Sequence, residues 1–133
     1  MKTMKQFIAE SHISAQLIRA VVRQIGGWES FTDHAADVMN HGADGGYHGF
    51  IYFTDTVSFV KRHKAAILDS CKQMADDLGE DVYTMIGGFN CLKISPMEAA
   101  EAIHNPRSDE RGTVFNALAW YALEEVSRSY ADQ

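Results

Sequence analysis

The chain has 133 residues, 46% of them apolar, with a formal net charge of −6 and two cysteines. That length and content suit one domain with a real core and leave little room for a second. The acidic balance argues against general nucleic-acid affinity, which needs a basic surface to displace counterions, and no apolar run approaches the length of a membrane span.

From the amino terminus, Phe7, Ile8, Leu17, Ile18, Val21, Val22 and Ile25 fall largely at helical spacing, and Gly26-Gly27 supplies the stop. This is one helix over residues 4–25, or two broken near Ser11 to Ser14. Trp28 opens a second segment to about Asn40, with Phe31, Ala35, Val38 and Met39 on one face and an acidic face that carries His34. A long helix is predicted from about Thr56 to Leu78, closed by Gly79, and a shorter one over residues 80–89, ended by Gly87-Gly88. Ser95-Pro96-Met97-Glu98 joins a capping serine, a proline at the first helical position and a glutamate that reaches back, a specific helix start. That helix ends near His104-Asn105-Pro106. Ser108 or Asp109 is the expected cap of a last helix, in which Val114, Leu118, Ala122 and Val126 lie four apart.

Between the second and third segments, residues 40–56 read as neither helix nor plain linker, and the rest of the chain is expected to be organised around them. They hold four of the ten glycines. Asp44-Gly45-Gly46 is turn chemistry, Phe50-Ile51-Tyr52-Phe53 is rich in strand formers, and Thr54 or Asp55 can cap the helix that follows. The predicted fold is therefore mainly α, a single compact bundle of about five or six helices with a short β-like insert around residues 46–54.

Few residue groups have the spacing that chemistry needs. His34, Asp37 and His41 lie at i, i+3 and i+7, so a helix continued to residue 41 would face all three one way, as a Zn²⁺ or Fe²⁺ site of a small hydrolase would require. The bland reading is a solvated polar face with a histidine near the helix end. Gly42, Gly45, Gly46 and Gly49 match neither the dinucleotide fingerprint nor the P-loop, and acidic neighbours would repel phosphate. Cys71 falls on an apolar helix face and Cys91 beside Leu92, positions that favour burial over reactivity; outside any Cys-x-x-Cys spacing they also point to a reduced, cytoplasmic compartment. Asp76-Asp77 and Glu124-Glu125 read as solvating charge on helix surfaces.

Charge distribution is more telling than the total. Residues 24–60 carry Glu29, Asp33, Asp37, Asp44 and Asp55 without a single Lys or Arg, and Trp28, Tyr47 and Tyr52 are interleaved with them. Aromatic anchors in a negative field suit docking on a basic protein surface.

The set Gly27-Trp28-Glu29-Ser30-Phe31, His41-Gly42-Ala43-Asp44-Gly45-Gly46, Gly49-Phe50-Ile51-Tyr52 with Asp55-Thr56, and Asn116-Ala117-Leu118-Ala119-Trp120 with Ala122-Leu123-Glu124-Glu125 resembles a family of small bacteriophage and mobile-element proteins. The resemblance implies a setting and no catalytic residue: accessory proteins that act on host machinery, among them inhibitors of restriction and CRISPR systems. The expectation is a non-enzymatic protein of the host-cell cytoplasm, without cofactor, that covers a basic site on a host defence or nucleic-acid-processing protein with its acidic, aromatic face. The metal-dependent hydrolase and a self-associating, homodimeric helical module stand as alternatives.

Overall fold

A computed structural model describes residues 2–41, 55–89 and 92–132, with the side chains of residues 39–41 outside the description. Seven α-helices occur among them: α1 (Met4–Glu10), α2 (Ala15–Ile25), α3 (Trp28–His41), α4 (Thr56–Leu78), α5 (Val82–Gly88), α6 (Pro96–His104) and α7 (Arg111–Ala131). The mainly helical fold expected from the periodicity is present. The predicted insert at residues 46–54 lies outside the described residues.

Local chemistry accounts for most helix ends. The amino-terminal segment is two helices, broken between Glu10 and Ala15, because two caps compete there: Ser11 ends α1 with its N–H donating to the Phe7 carbonyl, and the Ser14 hydroxyl accepts from Leu17 N–H to start α2. Gly26, at φ 114°, then closes α2 in the left-handed conformation, with Gly27 N–H donating to the Val22 carbonyl at 2.8 Å, so that α3 begins one residue later. The reciprocal capping box at Ser95 and Glu98 forms as predicted.

Two ends differ from expectation. The last helix starts at neither Ser108 nor Asp109: its cap position is Glu110, which makes no side-chain capping bond, while the Ser108 hydroxyl accepts from Glu110 N–H in the preceding turn. Asp55 does precede α4, but at φ 54° its carboxylate caps nothing; the Thr56 hydroxyl turns instead to the Asn116 side chain on α7. The glycine pair 87–88 ends α5 as expected. Both residues are helical and Phe89 is the cap, and Gly87 has a second role: an added methyl there would meet the Ile94 carbonyl oxygen.

The core is arranged around α7. Val114, Leu118, Ala122 and Val126 form the predicted stripe, but Phe115, Ala119, Trp120 and Leu123 are buried as well, so the middle two turns, residues 117–123, are covered on all sides, while Thr113, Asn116 and Arg128 stay exposed nearer the ends. Helices α2, α3, α4, α5 and α6 all pack against it. Among the described residues the organising element is this last helix. At its carboxyl end Tyr130 meets Phe7, Trp28 and Phe31, with ring centroids 5.4 to 5.5 Å away and all three contacts near edge-on. Opposite, Lys64 of α4 and Arg111 of α7 both donate to the Ile103 carbonyl at the end of α6, where the helix dipole favours cations. Helix α4 is kinked at His63, whose backbone (φ −119°, ψ 19°) leaves the helical region.

Candidate functional site

Helix α3 carries the acidic face. Phe31, Ala35 and Val38 are buried against the bundle, and the 3.6-residue period turns Glu29, Asp33 and Asp37 to the opposite side, where all three are exposed. Spaced four apart, they form a ridge about 12 Å long at 1.5 Å per residue. No Lys or Arg of α3 interrupts it. Buried residues behind the ridge hold the helix, so the carboxylates project from a fixed frame.

Trp28 stands at the head of this ridge and is only partly exposed. Its ring lies 5.9 Å from Phe7, 5.5 Å from Phe31 and 5.4 Å from Tyr130, which makes it the outer wall of an aromatic cluster joining α1, α3 and α7. Asp55 is exposed at the start of α4. Asp44, Tyr47 and Tyr52 lie outside the described residues. The structure therefore brings Trp28, Glu29, Asp33 and Asp37 together on one helix. Of the alternative metal set, His34 is half-buried and Asp37 exposed on α3, while the His41 side chain is outside the description. Among the described residues, no three or more His, Cys, Asp or Glu side chains gather as metal ligands would.

A second polar region was not legible as a site. Glu125, which reads from sequence as solvating charge, is half-buried against α4, and burial raises its carboxyl above the ordinary value; Arg128 and His12 pull the other way, and Glu124 and Asp132 add to the rise. Its partner in sequence behaves differently. Glu124 pairs with Arg128 one turn on, at 2.7 Å. Close to Glu125, Cys71 is buried as its helical position predicted, and desolvation followed by the Glu125 charge pushes its thiol upward, so it is an inert core thiol. Beside it the Tyr121 hydroxyl donates to the Met74 sulfur at 3.1 Å. The sequence signal for Glu125 was its place one turn after Tyr121 on a helix with apolar residues all round.

Residues 2–133 match the family model described as a domain of unknown function, DUF7222. The chain belongs to that family. No curated protein and no solved structure matches it. The DUF7222 description carries no activity, so the roles of its side chains rest on their geometry. No helix of the described residues is long and apolar enough to cross a membrane.

Proposed function

We propose that the protein is a non-enzymatic accessory protein that docks the acidic face of α3 on a basic surface of a host defence or nucleic-acid-processing protein and occludes it. The observation that carries this reading is the ridge of Glu29, Asp33 and Asp37, exposed at every fourth position, on a helix whose other side is locked into the core. A negative field held in a rigid frame steers a basic partner and costs little ordering on binding. Trp28 supplies a half-exposed aromatic edge at one end of the ridge.

The test compares the wild-type protein with a Glu29→Lys, Asp33→Lys, Asp37→Lys variant, each tagged and used to capture partners from host lysate at low and moderate salt. The wild-type protein is expected to retain a nucleic-acid-binding or defence complex that salt releases, since exposed charges are screened beyond a Debye length of about 8 Å at physiological ionic strength. The variant is expected to lose it. Capture of the same partners by both proteins overturns the reading.

A further inference from the structure

The link between α1 and α2 stands clear of the face of α4 that carries Asp69, Ser70, Gln73 and Asp77, and two clefts open there. One has a volume of about 190 Å³ and the other about 80 Å³, and Ile13, Ser70 and Gln73 line both, so they are neighbouring chambers of one elongated groove. The chambers carry negative charge at separate places. Asp69 lines the larger; Asp77 and Glu125 line the smaller. Among the described residues no Lys or Arg lines either, and His12 is the only basic side chain along the groove. Arg128, the cation nearest in sequence to Glu125, forms its ion pair with Glu124 and does not line the groove, although its charge reaches Glu125.

The spacing selects the kind of cation. Asp69 and Asp77 are eight residues apart on α4, about 12 Å along the axis at 1.5 Å per residue. A metal ion needs its oxygen ligands within about 2.6 Å of one point, and these carboxylates are strung out instead. An extended chain with a positive charge at each end meets that arrangement. Between the ends, Met74 in the smaller chamber and Ile13 in both offer apolar wall to methylene groups, and the Ser70 and Gln73 side chains offer oxygens to a central amine; Ala65 and Ala66 continue the wall past Asp69. A chamber of this size takes an aliphatic chain and is too narrow for a folded partner.

We propose that this groove binds a linear aliphatic polyamine, with one terminal ammonium on Asp69 and the other between Asp77 and Glu125. The site is independent of the acidic face of α3, and its ligand is a small molecule where the other is a protein.

Titration calorimetry of the full chain with spermidine, at physiological salt, tests it. One saturable site per chain is expected, with butylamine, which has one charge, binding at least tenfold more weakly. Asp69→Asn and Glu125→Gln are each expected to weaken spermidine at least tenfold. A control variant, Glu29→Gln with Asp33→Asn, which removes the same kind of charge from the α3 ridge, is expected to bind as the wild type does. The proposal is overturned by absence of saturable binding, by butylamine binding as well as spermidine, or by the control losing as much affinity as the groove variants. The butylamine comparison uses the unaltered protein, so it decides the matter even where a variant fails to fold.

Discussion

The hydroxyls of Ser11 and Ser129 meet at 2.8 Å, joining the α1–α2 link to the last turn of α7 across 118 positions of sequence. The same Ser11 oxygen accepts from Ile13 N–H, so one side chain both shapes the link and anchors it. Ser129→Ala removes one bond and is expected to cost about 1 kcal/mol, and Ser11→Ala removes two and is expected to cost about twice that. Urea denaturation should show both as lower midpoints at unchanged slope, in that order.

Phe7 has no exposed surface and touches Trp28, Phe31 and Tyr130. Truncating it opens a cavity where α1, α3 and α7 meet, and Phe7→Ala is expected to destabilise by about 3–5 kcal/mol. Tryptophan emission should shift to the red as Trp28 gains solvent.

Two adjacent glycines are expected to respond in opposite ways. Gly87→Ala drives a methyl into the Ile94 carbonyl of the chain crossing over α5, where Ile94 N–H also donates to the Gly87 carbonyl, and should cost about 1–3 kcal/mol. At Gly88 an added methyl meets nothing within 4 Å, and Gly88→Ala is expected to be neutral or to stabilise by up to about 1 kcal/mol through helix propensity. Thermal melts of the two single variants make the comparison.

Two side chains give stability a pH dependence of predictable sign. The Glu125 carboxyl holds its proton more tightly folded than unfolded, so the native state binds more protons and stability falls as pH rises from about 4.5 through the folded value. Glu125→Gln should therefore be more stable than the wild type at neutral pH, with the difference closing below the unfolded value. His63 is the converse case. Burial first, then the Arg62 and Arg23 charges, lower its pKa from 6.5, so the unfolded chain takes the proton first and stability falls as pH drops below about 6.5. Its Nδ1 is buried with no hydrogen-bond partner among the described residues. His63→Gln should flatten that part of the profile, read as urea midpoints from pH 4 to 8.

Sequence reasoning found what short-range chemistry decides. The bounds of α4, the closing turn at Gly79, the capping box at Ser95 and the acidic ridge of α3 all follow from residues within two turns of one another. The start of α7 was missed because Glu110 caps it with backbone alone, although Ser108 and Asp109 are better capping side chains. The kink at His63 has no proline or glycine to announce it. Burial on every side of the middle of α7 depends on five other helices, and its low contrast between faces hides its central place. The groove escaped notice for a related reason: His12, Asp69 and Glu125 come from three distant parts of the chain, and each taken alone looks like ordinary surface charge.

The central place of α7 also sets when folding can happen during synthesis. A ribosome that has delivered the chain as far as residue 110 has made the six earlier described helices without the column on which they close. Phe7, Leu17, Phe31, Phe59 and Ile67 must wait for a segment translated after all of them. Their apolar faces are then open to chaperones, and to one another on neighbouring nascent chains, until that segment leaves the exit tunnel.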